Sequence, residues 1–198
     1  FALIYLCVLP NLLWAQGFGK NKVQYFSKDW SYIQSEHFDV YFYQNGYIIA
    51  EFVAETAESA YREISKSYNY ELRERVTIVT YQSHNAFEST NVTFMMPEEG
   101  VGGFTEFFKN RIVIPYEGSY EQLRHVTHHE LSHAVMLEMI YGGGIGSILS
   151  SLSRMPMPLW FVEGLAEYES RHGWDTDSDL FMRDATINGY VPPINEMG

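Results

Sequence analysis

The chain has 198 residues, 46% of them hydrophobic, which suits one domain with a sizeable core, with or without appended segments. Its formal net charge of −12 disfavours nucleic acid and anionic membrane surfaces as partners, because both repel an acidic protein. Only one cysteine, Cys7, is present, which excludes an intramolecular disulfide and fits export to an oxidising compartment.

Residues 1–16 form an apolar run that is too short and too interrupted to span a membrane. The run resembles a truncated secretory signal peptide, with cleavage after Ala15 or Gln16, and residues 17–35 would follow as an N-terminal extension. A buried N-terminal strand or helix is the alternative. We therefore expect an exported protein, periplasmic or extracellular, whose mature chain has no membrane span.

Aromatic and β-branched residues predict strands over residues 37–43, 75–81 and 111–116. Pro115 marks the third of these as an edge strand or as a strand end, since proline cannot donate to a neighbouring strand. Between the first two strands, apolar residues recur with a helical period from Tyr47 to about Tyr68. This segment is predicted to form an amphipathic helix.

A second helix is predicted from Ser119 to about Met139, and it carries the most informative motif of the chain. Here His129, Glu130 and His133 form the HExxH pattern of zinc-dependent hydrolases. Residues four apart lie on one side of a helix, so both imidazoles face one point. Glu130 is the candidate general base, close to a water on the metal but not a ligand itself.

A third helix is predicted over Pro158–Tyr168, and it supplies two carboxylates one turn apart. A catalytic zinc commonly takes three protein ligands, and two histidines with one glutamate are an established set. Glu163 is the predicted third ligand. Glu167 would accept a hydrogen bond from the nitrogen of His129 that does not face the metal.

HExxH followed by Trp160-Phe-x-Glu-Gly-x-Ala-x-Tyr168 resembles the gluzincin metallopeptidases, and most closely the bacterial peptidase MA-like domain. The resemblance covers about residues 36–170 and implies a catalytic domain over 36–174. It implies an α+β, zincin-like fold, with a small mixed sheet whose edge strand lies next to the HExxH helix. A second helix then carries the third ligand. The edge strand, expected within 104–115, would bind an extended peptide.

The chain departs in two places from thermolysin-like and aminopeptidase-like members, and it does not match the metzincin pattern. The spacer between His133 and Glu163 is longer than in thermolysin-like and aminopeptidase-like members, and residues 141–157 supply an insertion that could be a lid, a substrate-binding loop or functionally inert. The segment 100–106 lacks the aminopeptidase signature, so exopeptidase action is not supported. Met136 and Met139 occupy the positions where metzincins need glycine and histidine.

Tyr168 and His172 are candidates for stabilising the oxyanion, a role that gluzincins give to a downstream tyrosine or histidine. His128 is predicted to point away from the metal, and His125 is not predicted to be a ligand. Residues 175–198 are predicted to form a helix and linker that continue into a longer parent chain. Ser178 or Asp179 would cap that helix over 180–188, and the alternative, a calcium site over 175–179, lacks the required glycine and glutamate.

The sequence thus predicts a zinc-dependent peptidase that cleaves a peptide or protein substrate with a zinc-activated water and Glu130 as general base. The alternative from another class is a catalytically silent zinc-binding or scaffold domain of an exported multidomain protein. The resemblance implies that such a parent can carry a C-terminal β-propeller. A zinc hydrolase that acts on other bonds is a third interpretation.

Overall fold

This computed structural model describes residues 28–88, 103–106, 110–141, 157–193 and 196. These residues form a five-stranded mixed sheet with helices packed on it. The strand order is β1-β2-β3-β5-β4. Strands β2, β3 and β5 run parallel, and β1 and β4 pair antiparallel at the two edges. The strands are β1 (Trp30–Gln34), β2 (Phe38–Tyr43), β3 (Val76–Tyr81), β4 (Phe104–Glu106) and β5 (Arg111–Pro115).

Five helices are described, and the two longest cover one face of the sheet. They are α1 (Tyr47–Tyr68), α2 (His84–Glu88), α3 (Tyr120–Tyr141), α4 (Leu159–Ser170) and α5 (Thr176–Ile187). Alternate residues of the parallel strands, such as Val40, Ile78 and Ile112, are fully buried against α1 and α3. Helix α4 packs on the far side of α3, so α3 lies between the sheet and α4.

The opposite face of the sheet carries a smaller cluster. Val113 points away from its neighbours Ile112 and Ile114, because successive side chains of a strand face opposite sides. It packs with Tyr43, Tyr81 and Phe87, and Phe87 is supplied by α2. The sheet therefore has a main core under α1 and α3 and a small one under α2.

The predicted α+β class with a small mixed sheet is confirmed, and α1 has the predicted bounds. Of the two alternatives predicted for residues 111–116, the strand end is confirmed, because β5 ends at Pro115. The edge position belongs to β4, which pairs with β5 and lies within the range 104–115 where the edge strand was expected. Strand β1 and helix α2 were not predicted. Strand β1 comes from the segment predicted as an N-terminal extension, and it pairs with β2.

The C-terminal helix begins earlier than predicted, and the predicted capping residue was wrong. Helix α5 starts at Thr176, and the side chain of Asp175 accepts a hydrogen bond from the backbone N–H of Ser178 at 2.7 Å. Asp175 takes this role because it lies three residues before that N–H, the usual capping distance. The acidic segment 175–179 is therefore used to start a helix.

Several predicted segments lie outside the described residues. They are the signal peptide over 1–16, the first part of the extension over 17–35, and the insertion over 141–157 apart from its two ends. No helix among the described residues is both long enough and apolar enough to cross a membrane.

The fully buried side chain of Leu131 on α3 allows a matched test of the core. We expect Leu131→Ala to lower the free energy of unfolding by about 2–5 kcal/mol, since it removes buried methyl groups and leaves a cavity. The same change at Leu180, which is 61% exposed, should cost far less. Urea denaturation of both variants measures the difference, and equal losses would contradict this placement of α3.

Candidate metal centre

Helix α3 has a defined start and a defined rotation. The hydroxyl of Ser119 accepts a hydrogen bond from the N–H of Gln122 at 3.2 Å, and its carbonyl accepts from the N–H of Leu123 at 3.0 Å. Both are the bonds of a helix N-cap. Leu123, Leu131 and Val135 then bury one side of the helix in the main core. This packing directs His129 and His133 toward α4.

Three potential ligand atoms meet between α3 and α4. The Nε2 atoms of His129 and His133 are 3.1 Å apart, and Oε2 of Glu163 lies 3.4 Å and 3.3 Å from them, respectively. Glu163 reaches this point from the first half of α4, which begins directly after Pro158. Two residues of one helix and one of the next therefore form a nearly equilateral triangle.

The triangle has the dimensions of a zinc site. Zinc bound to nitrogen and oxygen at about 2.0–2.1 Å in a tetrahedron separates its ligand atoms by about 3.3 Å, close to all three observed distances. The donor set, two imidazoles and one carboxylate, is also a common catalytic zinc set. The residues present therefore fit a divalent metal ion of the zinc class.

The charges around the triangle favour a cation at its centre. Contacts with the imidazoles of His129 and His133 hold the pKa of the Glu163 carboxyl well below its usual range. Burial of the His129 ring opposes its protonation, but contact with Glu163 and the charge of Glu130 outweigh burial and raise its pKa. Positive charge is thus favoured between these groups, and either a proton or a bound cation could supply it.

Glu130 lies beside the triangle, and its side chain contacts strand β4. Its side chain is buried, and its Oε2 accepts a hydrogen bond from the hydroxyl of Thr105 on β4 at 2.7 Å. Burial raises the pKa of Glu130, and the Thr105 bond opposes this rise because it stabilises the carboxylate. The raised pKa suits a group that must take up and release a proton.

Strand β4 approaches α3 closely because residue 103 is a glycine. A Cβ at Gly103 would lie 2.9 Å from Cγ1 of Val126 and 3.3 Å from Cγ of Glu130, both tighter than ordinary contacts. Any larger residue would push the strand away from the helix. The sheet edge therefore lies directly against Glu130, the candidate general base.

A second layer of charged groups surrounds His129. Oε2 of Glu167 is 3.2 Å from its Nδ1 and 3.3 Å from Nε2 of His125. The Glu167 oxygen is off the hydrogen-bond direction, so Nδ1 has no hydrogen-bond partner among the described residues. Arg171 binds the other oxygen of Glu167 and also Asp175. Glu167 is thus positioned to orient His129 after a small rotation.

The structure brings together the predicted residues His129, Glu130, His133, Glu163 and Glu167. His125, which was not predicted as a ligand, joins them through Glu167; its position one turn before His129 was the available signal. Thr105 was missed, because nothing in the local sequence links a threonine at 105 to a glutamate at 130.

The two predicted oxyanion candidates are Tyr168 and His172. Nδ1 of His172 is 3.1 Å from Oε2 of Glu63, and its ring packs 5.4 Å from that of His128. Tyr168 is 53% exposed. His172 thus contacts Glu63 and His128, and the oxyanion role of Tyr168 and His172 stays a prediction. His128 points away from the triangle, as predicted.

Comparison with models of protein families, with curated proteins and with solved structures finds no match to this chain.

Replacement of Thr105 tests the electrostatics of the centre. We expect Thr105→Val to raise the pKa of Glu130, because the variant loses the donor that stabilises the carboxylate. NMR titration of ¹³C-labelled glutamate carboxyls measures this shift. Thr127→Val is the matched control, since Thr127 is buried on α3, the helix of Glu130, and its hydroxyl donates to the carbonyl of Leu123 instead. An unchanged Glu130 titration in Thr105→Val would contradict the contact.

Proposed function

We propose that this chain is a zinc-dependent peptidase of the gluzincin type. The observation that carries the proposal is the triangle of His129 Nε2, His133 Nε2 and Glu163 Oε2, with sides of 3.1–3.4 Å, next to the buried carboxylate of Glu130. Ligands and base come from two helices and match the motif in spacing and in identity. A zincin-like fold is part of the same proposal.

His129, His133 and Glu163 would hold the zinc ion. When bound, zinc makes a water more acidic, toward a pKa of about 7, and polarises the carbonyl of the substrate. Glu130 removes a proton from the attacking water and returns it to the leaving amine. Thr105 holds Oε2 of Glu130, which leaves Oε1 for that proton. After a small rotation, Glu167 would accept a hydrogen bond from Nδ1 of His129 and orient its ring.

The substrate would be an extended peptide or a protein segment. Strand β4 is at the edge of the sheet and contacts α3 through Thr105 and Gly103. A peptide that pairs with a free strand edge aligns its carbonyl groups along that edge, and here the edge leads to Glu130. The gluzincin resemblance implies the same mode of binding. We also propose that the protein acts outside the cytoplasm, as the apolar N-terminal segment suggests.

One observation favours the alternative of a silent zinc-binding or scaffold domain. Helices α4 and α5 expose large apolar side chains, among them Trp160, Phe161 and Phe181 at 41%, 40% and 72%. Exposed apolar surface of this kind marks interaction sites. The same surface would also serve a peptidase that binds a partner or a substrate. A measurement of peptide hydrolysis therefore decides between the peptidase and the scaffold domain.

The first test separates zinc binding from turnover. We expect Glu130→Gln to keep one zinc at the centre and to lose about 10²–10⁴-fold in turnover, because it removes only proton transfer. His133→Ala should lose both, because it removes a ligand. Metal content by mass spectrometry and cleavage of a mixed peptide library measure the two effects.

His84→Ala is the control for these variants, because His84 lies against Glu117 away from the centre. It should match the native chain in zinc and in cleavage. Unchanged hydrolysis by Glu130→Gln would reject the peptidase proposal. Zinc binding without hydrolysis by the native chain would instead support the scaffold.

A second test addresses the outer layer of the site. We expect Glu167→Gln to weaken zinc affinity about 10–100-fold, because the neutral amide supports the His129 ring less well than a carboxylate. Competition with a chromophoric chelator measures this affinity. Glu169→Gln is the matched control on the same helix, since Glu169 accepts a hydrogen bond from Ser67 instead. Equal affinities for the two variants would exclude a supporting role for Glu167.

A further inference from the structure

A second group of metal-ligating side chains lies on the other side of α3. Glu63 comes from α1, His128 from α3, and His172 from the turn after α4. Each offers one ligand atom, and the three atoms lie within 4.8 Å of one another. Oε2 of Glu63 and Nδ1 of His172 are 3.1 Å apart. None of these residues belongs to the triangle of His129, His133 and Glu163.

His128 is the residue whose environment calls for a ligand. Only 5% of it is exposed, and its Nε2 is buried with no hydrogen-bond partner among the described residues. Buried polar atoms are nearly always paired, because leaving one unpaired costs free energy. An imidazole with an unused nitrogen beside a second imidazole and a carboxylate is the arrangement that a metal ion satisfies.

The surroundings leave room and negative charge for a cation. A cavity of about 370 Å³ adjoins the cluster and is also lined by Glu121 and Arg124. The guanidinium of Arg124 lies over the ring of Phe52, 5.0 Å from its centroid. The other arginine of the cavity wall, Arg171, is paired with Glu167 and Asp175. Both positive charges thus have partners away from the cluster, while Glu63 faces it.

We propose that Glu63, His128 and His172 bind a second divalent transition-metal ion, in addition to the ion at the HExxH centre. Two imidazoles and a carboxylate select zinc and its neighbours, nickel and copper, over calcium or magnesium. The three ligand atoms lie within 4.8 Å of one another, so only a small movement is needed to reach the separation in a zinc tetrahedron, about 3.3 Å. The side chains of Glu63 and His172 are 53% and 64% exposed and can rotate inward.

This ion would connect three helices at one point. Its ligands join α1 and α3 to the C-terminal end of α4, and α4 carries Glu163 and Glu167 toward the first centre. The second ion therefore has a structural role, in which it fixes the end of the helix that supplies the third ligand of the catalytic ion.

The test compares zinc stoichiometry in the full chain. Native protein, His172→Asn and Glu63→Gln are equilibrated with buffered zinc, and bound metal is measured by mass spectrometry. Asparagine suits position 172, because the backbone there has a φ of 57° that asparagine tolerates. We expect both variants to bind one zinc fewer than the native chain. His84→Asn, which alters a histidine that pairs with Glu117, should bind the native amount.

The same measurement in a Glu163→Ala chain separates this inference from the proposed function. In Glu163→Ala, which damages only the first centre, we expect one strongly bound zinc that His172→Asn then removes. Zinc should also raise the unfolding temperature of Glu163→Ala, and His172→Asn should abolish that rise. Equal zinc in native and His172→Asn chains would overturn the second site and leave the peptidase proposal intact. Loss of zinc in His172→Asn alone, with none lost in Glu163→Ala, would reject the first centre instead.

Discussion

The burial of one side of α3 is the constraint on which the rest of the site depends. Leu123, Leu131 and Val135 can enter the main core only if the helix has a single rotation about its axis. That rotation sends His129 and His133 toward α4, Glu130 toward the sheet edge, and His128 toward α1. One helix thus distributes neighbouring polar residues to three different environments, because successive residues are about 100° apart around the axis.

The same packing explains why the pKa values of the two glutamates near the centre shift in opposite directions. Glu163 is half exposed and contacts two imidazoles, which favours its charged form. Glu130 is buried beside β4, where desolvation favours the neutral form and outweighs the support that Thr105, His133 and His129 give to the charged form. The first environment suits a permanent anionic ligand, and the second suits a group that gains and loses a proton.

Local sequence patterns predicted the helices that bury a regular stripe of apolar side chains and the strands whose side chains alternate between two faces of the sheet. Helix α1 and the strands around it were predicted for this reason, and so was the HExxH helix. Strand β1 was missed because nearly all of its residues are exposed, so it is defined by pairing with β2 and not by burial. The edge position of β4 and the contacts of Thr105, Glu63 and His172 bring together residues far apart in the chain. No local pattern encodes such contacts.

Arg171 and Asp175 connect the candidate metal centre to the last helix. Asp175 caps the first turn of α5 and also binds Arg171, which binds Glu167 beside His129. A partner that displaced α5 through its exposed apolar residues would pull Asp175 away from Arg171. Glu167 would then share its charge differently between Arg171 and the two histidines. The position of α5 and the charge of Glu167 beside His129 are therefore linked through two side chains, Asp175 and Arg171.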